Sequence, residues 1–234
     1  MSWHTGRLAA FDIETTGVDP EVDRIVTAAV SVVGGDLPAE DHSWLVNPGI
    51  DISAGAAAVH GITNERARTE GQSPDVAIGE ITAVLADQLL QSVPVVAFNA
   101  RFDLTILDRE ARRNELRPLL DRVGGLDGML VVDPYVIDKH VDQFRRGSRI
   151  LEAACEHYGV SLTGAHSANA DALATAQLAF ALGANFFELR DIDIRELHHE
   201  QIAWAAEQAA SLEKYFRQQG RNARVEGAWP IVLD

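Results

Sequence analysis

AFDIETTG, residues Ala10 to Gly17, sets two carboxylates, Asp12 and Glu14, inside a run that otherwise reads as a buried strand. Residues two apart on a strand project from the same face. The two acids therefore point together, their Cα atoms roughly 7 Å apart, while Phe11 and Ile13 point to the other side. Ionised carboxylates that close, in a partly buried setting, repel each other and lose hydration unless a cation sits between them. A solvated acidic edge strand is the competing reading of these eight residues, and the Thr15-Thr16-Gly17 that follows argues against it.

Outward from this stretch, RLAAFDI reads as a first strand, RIVTAAVSVVGG as a second ending at Gly34-Gly35, and DHSWLVNPG as a third stopped by Pro48-Gly49. Between Ser73 and Gln91, apolar residues at Val76, Ile78, Ile81, Val84, Leu85 and Leu89 recur near the helical period, after a Ser N-cap and a Pro at the first helical position. VPVVAF reads as a short buried strand, with Asn99 able to cap the helix ARFDLTILDREARRNEL behind it. MLVVDPYVIDKHV reads as a strand passing into a helix. Helices follow over SRILEAACEHYG, with Gly159 as C-cap, over SANADALATAQLAFALGANFF, and from Ile194 to Gln219. Strands dominate early and helices late, within one globular domain.

Two further places carry acids with a chemical reading. Asp103 falls in the first turn of the helix leaving VPVVAF, where strand ends meet helix starts and open α/β sheets form ligand crevices. Complementing the helix dipole is the competing role. In HSANAD, His166 lies in a loop just ahead of a helix whose first turn holds Asp171, with Ser167 or Asn169 available as its cap.

The formal charge of −15 argues against broad adhesion to a polyanion, so any nucleic-acid contact must be local and helped by cations. One basic cluster, Lys139, Arg145, Arg146 and Arg149, could guide a single strand, or could be a solvated helix face, which charge runs usually are. Cys155 is the single cysteine, which excludes an intramolecular disulfide and a Cys-based zinc cluster. No stretch reaches the roughly 18 unbroken apolar residues of a membrane span. A soluble, cytoplasmic protein with no membrane partner is expected. The adjacent His198-His199 cannot face one metal from neighbouring helical positions, and a surface place is expected for them.

An acidic pair on a first strand, an Asp opening a later helix and a His–Asp pair opening another, in this order, resemble the pattern of the DEDDh 3′→5′ exonucleases. That family includes the proofreading epsilon subunits of bacterial DNA polymerase III, ribonuclease T and oligoribonuclease. The matching stretches are FDIETTG, VHGIT at Val59 to Thr63, NARFDLTIL and HSANADALATAQL, spanning about residues 7 to 180. The resemblance implies an α/β, ribonuclease-H-like fold, a mixed five-stranded sheet with helices on both sides. It implies an exonuclease domain over 1–190, with 191–234 a C-terminal helical extension packed on it. Asp12, Glu14, Asp103 and Asp171 match the family's metal-binding carboxylates, and His166 its general base. Thr15, Thr16, His60 and Phe102 match positions that meet the terminal nucleotide. An all-oxygen donor set favours two hard divalent cations, Mg²⁺ or Mn²⁺.

The expected reaction is hydrolysis of the terminal phosphodiester at single-stranded DNA or RNA 3′ ends, releasing 5′-nucleoside monophosphates, with DNA preferred. Trimming of short RNA, or a silent binding module of a polymerase assembly, are the alternatives. The complete set of four acids and a histidine argues against the silent module. The C-terminal helix, with no convincing clamp-binding peptide after it, favours a stand-alone exonuclease or one with a different partner.

Overall fold

The computed structural model describes residues 2–162 and 164–233. Among them, strands β1 (Arg7–Thr15), β2 (Ile25–Gly34), β3 (Glu40–Leu45), β4 (Val95–Val96) and β5 (Val131–Val132) form one mixed sheet in the order β3-β2-β1-β4-β5. The first three are an antiparallel meander, and β4 and β5 run parallel to β1. The chain between and after them forms helices α1 (Ala54–His60), α2 (Asn64–Glu70), α3 (Pro74–Leu90), α4 (Ala100–Arg113), α5 (Leu119–Arg122) and α6 (Pro134–Val141). Then come α7 (Leu151–Tyr158), α8 (Ala168–Asn185), α9 (Phe187–Arg190) and α10 (Ile194–Gln218). This is the expected mixed sheet with helices on both sides. No described helix is long and apolar enough to cross a membrane.

Each face of β1 meets a different kind of helix. Phe11 and Ile13 join Ile78, Ile81 and Leu85 of α3 in the main core. On the opposite face, Ala10 and Ala29 pack against Ala168, Ala172 and Ala176, a small cluster whose buried members are all alanines, flanked by Val33 and Phe180. Alanines at four-residue steps line one face of α8, so helix and sheet approach closely at the end where the acids stand. A larger side chain there, such as Ala172→Leu, overpacks the contact at about 1–3 kcal/mol and pushes the helix outward.

The free edge of β5 is closed by side chains of α10. His198 Nδ1 accepts the Val131 amide at 3.2 Å, Gln201 Oε1 accepts the Asp133 amide at 2.7 Å, and Gln201 Nε2 donates to the Val131 carbonyl at 3.0 Å. The helix thus supplies the bonds a sixth strand would otherwise make. His198 is therefore not a surface residue: it is 1% exposed, and burial pushes its pKa from 6.5 down to about 4.

Other expectations shift in detail. β3 stops at Leu45, after which Val46 forms an isolated bridge with Gln72 and its amide donates to the Val26 carbonyl at 2.8 Å. Ser73 and Ser167 occupy N-cap positions without side-chain cap bonds. Helices α1 and α2, in a region without apolar periodicity, are held by Ser53 and Thr63 as N-caps instead.

Candidate metal centre and active site

The carboxylates of Asp12, Glu14 and Asp171 converge: one ligand oxygen from each lies within 4.8 Å of the others, the arrangement a shared cation needs. β1 supplies two of them from one face, opposite Ala29 and Thr27 of β2, and its register shifts between Glu14 and Thr15 as the strand leaves the sheet. α8 supplies the third from its first turn. Asp103 stands outside this trio of ligand atoms. It is 5% exposed in the first turn of α4, and it is the strongest of the charges acting on Asp12.

The electrostatics follow from that crowding. Burial first, then Asp103, Asp171 and Glu14, holds the Asp12 carboxyl well above its usual range. Burial and Asp171 push Glu14 up to about 7. Asp103 and Asp171 are raised as well, again chiefly by burial. None of the four is ion-paired to a Lys or Arg among the described residues; backbone hydrogen bonds and His166 offset part of their repulsion, and protons or a cation would relieve the rest. Oxygen-only donors, crowded and short of positive charge, fit a hard divalent ion.

His166 stands at the entrance with φ 67°, a left-handed conformation. Its amide donates to Asp171 Oδ2 at 3.0 Å, tying loop and helix together, and its Nε2 lies 3.6 Å from Glu152 Oε1. The ring is half exposed. It lines a cleft of about 360 Å³ with Glu14, His60, Arg66 and Trp44. Glu152 was not foreseen: it opens α7 in a region whose sequence carries no motif.

The four positions matched to substrate contact lie around this site with differing freedom. Thr15 donates its hydroxyl to the Gly17 carbonyl at 2.5 Å. Thr16 is 2% exposed; its hydroxyl donates to Asp23 Oδ1 at 2.6 Å and accepts the Arg24 amide at 3.0 Å. The same Asp23 carboxylate lies 2.5 Å from where a Cβ on Gly17 would stand, so a larger residue there would displace Asp23 from its bond with Thr16. Both threonine hydroxyls are thus engaged in shaping the turn. His60 accepts the Ile62 amide on Nδ1 at 3.1 Å, while its buried Nε2 lacks a well-formed bond, and burial lowers its pKa. Phe102 is half-buried against the main core.

The start of α4, which carries Asp103, is not capped by the Asn99 side chain. Asn99 adopts φ 66° and makes no side-chain cap bond. Asp133, at the end of β5, accepts the Asn99 amide at 2.9 Å and the Ala100 amide at 3.0 Å instead. Trp229 Nε1 donates to the same carboxylate at 3.1 Å, and the Val232 amide donates to Thr105 Oγ1 at 3.0 Å. The segment after α10 therefore straps down the helix on both sides of Asp103. The basic cluster divides: Arg145 and Arg149 are clamped on the buried Asp138 at 2.8 and 2.7 Å, whereas Arg146 is exposed.

On this mixed sheet the central strand and the first turn of α8 gather three carboxylates in a group that could hold a metal ion, with Asp103 of α4 beside it. The family model described as Exonuclease (RNase_T) matches residues 9–179, and the chain belongs to this exonuclease family. DNA polymerase III PolC-type of Thermotoga maritima is 32% identical over 169 residues, covering 71% of this chain and 11% of that one. The PolC-type polymerase of Streptococcus agalactiae is 27% identical over 207 residues, 87% of this chain and 13% of its own. The chain thus spans about a tenth of the length of these curated relatives. In fold it is similar to E. coli exonuclease I in complex with a dT13 oligonucleotide (TM-score 0.67, 22% identity, 80% of this chain and 43% of that one). Exonuclease I from Methylocaldum szegediense is a second likeness (TM-score 0.62, 24% identity, 79% and 42%).

Proposed function

We propose that this protein is a DEDDh-type 3′→5′ exonuclease. It removes 5′-nucleoside monophosphates from single-stranded nucleic acid, preferentially DNA, in the cytoplasm, on its own or beside a polymerase. The observation that carries the reading is the convergence of the Asp12, Glu14 and Asp171 oxygens within 4.8 Å, with no Lys or Arg ion-paired to them among the described residues. Asp12, Glu14, Asp103 and Asp171 would hold two Mg²⁺ or Mn²⁺ ions, which when bound neutralise charge on the entering and leaving oxygens of a phosphodiester.

The chain's own groups do the rest. His166, half exposed and tethered through its amide to Asp171, reaches over the cleft and takes the proton of the attacking water. Glu152, 3.6 Å from Nε2, stabilises the imidazolium that results. The cleft beside Glu14 receives the terminal nucleotide between His60 and His166; the Thr15–Thr16 turn and Phe102, which do not line that cleft, are assigned to its sugar and base from the family resemblance alone. PolC-type relatives and an oligonucleotide-bound structural likeness support DNA as the polymer.

Single-stranded DNA and RNA oligonucleotides labelled at the 5′ end, incubated with Mg²⁺, Mn²⁺ or EDTA, test the whole assignment on one gel. The expected result is a metal-dependent ladder shortening from the 3′ end, faster on DNA. Cleavage that persists in EDTA, or internal cuts, would overturn it.

A further inference from the structure

A groove between α6 and α10 is unused by the reaction described above. Its wide part, about 540 Å³, is bordered by Lys139, Arg149, Trp204 and Tyr215. A narrow extension of about 80 Å³ shares Lys139 and continues to Tyr135 and Arg101. Three cations thus meet along one channel in a chain whose formal charge is −15.

Two of the acids near them, Asp133 and Asp138, are already satisfied, and Arg101 donates through Nη1 to the Glu226 carbonyl. Asp133 accepts the amides of Asn99, Ala100 and Tyr135 and the Trp229 indole. Asp138 accepts Arg145, Arg149 and the Tyr158 hydroxyl. Lys139 forms no ion pair among the described residues and lies 4.7 Å from the centre of the Tyr135 ring. Burial, then Arg149 and Arg101, lowers its pKa, as expected where cations outnumber free anions. Glu207 and Glu226 also reach the rim, so the attraction is local to Lys139 and Arg101 and is not a bulk field. Of the aromatic rings alongside, Tyr215 is 55% exposed, whereas Trp204 is buried at 9% and stacked on His140 at 3.9 Å, forming the floor of the groove.

The groove's position relates it to the acids. Arg101 precedes Asp103 by two residues in the first turn of α4, and α6 starts where β5 ends. In the strand order, β5 is two places from β1, roughly 10 Å along the same end of the sheet. The cleft with His60 and His166 opens on the other side, bordered by Thr27 of β2 and Ser43 of β3. The carboxylates therefore stand between the cleft of His60 and His166 and a cationic channel with an exposed tyrosine.

The geometry points to this channel as the track for the sugar-phosphate backbone upstream of the terminal nucleotide, with phosphates on Arg101 and Lys139 and a base against Tyr215. This rests on the nuclease reading above and adds a second contact region to it. Backbone-tracking charge beside exposed aromatic rings is the combination that holds single strands without reading their sequence.

The test is equilibrium binding of fluorescent oligothymidylates, three and twelve nucleotides long, in Ca²⁺, to the wild type and to Lys139→Glu and Arg101→Gln. The wild type is expected to hold the longer strand more tightly. Each variant should lose about tenfold on the longer strand and under twofold on the shorter. The salt slope of log Kd for the longer strand should flatten by about 0.7 per contact removed. Thermal melting of each variant checks that the fold is kept, and an exposed-site variant, Tyr215→Ala, serves where one of them melts early.

Equal losses on both lengths, or no loss on either, would overturn the channel and leave the nuclease reading standing. A wild type that binds neither length would sink both. Variants that lose affinity for an acidic peptide while keeping the longer strand would assign the channel to a protein partner and overturn the proposal.

Discussion

Buried acids occur in two settings in this molecule. On α4 and α6, Asp108, Glu110 and Asp138 are each at most 2% exposed, and each has at least two arginines: Arg109 and Arg112, Arg24 and Arg113, Arg145 and Arg149. Burial pushes Asp138 up, but hydrogen bonds from Arg145, Tyr158 and Arg149 bring it below the usual carboxylate range. Around the end of β1, Asp103 and Asp171 are buried and Asp12 and Glu14 half-buried, none has an arginine or lysine partner among the described residues, and their pKa values rise. The chain can neutralise an interior acid when the acid serves the fold. Where it does not, repulsion is stored for a ligand of opposite charge.

That contrast can be broken most sharply at Asp12. Asp12→Asn should lower the release of mononucleotides by at least about a thousandfold, some 4 kcal/mol of barrier, while the melting temperature without metal stays level or rises because repulsion is removed. Retained turnover in a ladder assay would erase the distinction. Asp138→Asn should do the reverse. Leaving Arg145 and Arg149 without their buried acid costs about 3–5 kcal/mol in urea unfolding, with the Mg²⁺ requirement of any remaining activity unchanged.

A third probe uses protonation. His198 has its folded pKa lowered to about 4 from 6.5, so the unfolded chain binds its proton first as pH falls. Its contribution to stability is complete above pH 6.5 and is lost progressively down to about pH 4, a difference of about 3 kcal/mol. Denaturant midpoints measured across that window for wild type and His198→Gln should converge toward the acid end. The smallest effect is expected for Trp229→Phe, which keeps the ring and removes one donor to Asp133. It should cost about 1–2 kcal/mol, together with a fall in kcat that exceeds any change in KM, because the start of α4 loosens around Asp103. A KM effect alone would show that the strap holds substrate and does not position the acid.

How much of this could be read from the residues depends on how far apart the cooperating groups lie. β1 and β2 and helices α3, α8 and α10 announce themselves, because their alternation or helical periodicity is local. The spacing of Asp12 and Glu14 made them face together, and the resemblance joined Asp171 to them. Helices α1 and α2 escaped because seven residues rich in Ala or charge carry no apolar stripe: α1 buries no residue, and α2 only Ala67. The cap of α4 was assigned to the adjacent Asn99, whereas its true partner, Asp133, lies 34 residues away. His198 was expected outside because nothing in a His-His pair reveals that β5 needs a bond acceptor. Likewise, the pairing of Arg145 and Arg149 depends on Asp138 being turned inward, which a charge run does not disclose.

The side chains of His198 and Gln201 on β5 bear on any attempt to shorten the protein. The family match ends at residue 179, yet the groups that occupy the sheet's last open row of amides and carbonyls come from α10. A fragment cut after the match would retain every carboxylate and still present a bare strand to its neighbours. Such a fragment should self-associate edge to edge in solution, and its loss of activity would reflect stickiness before chemistry.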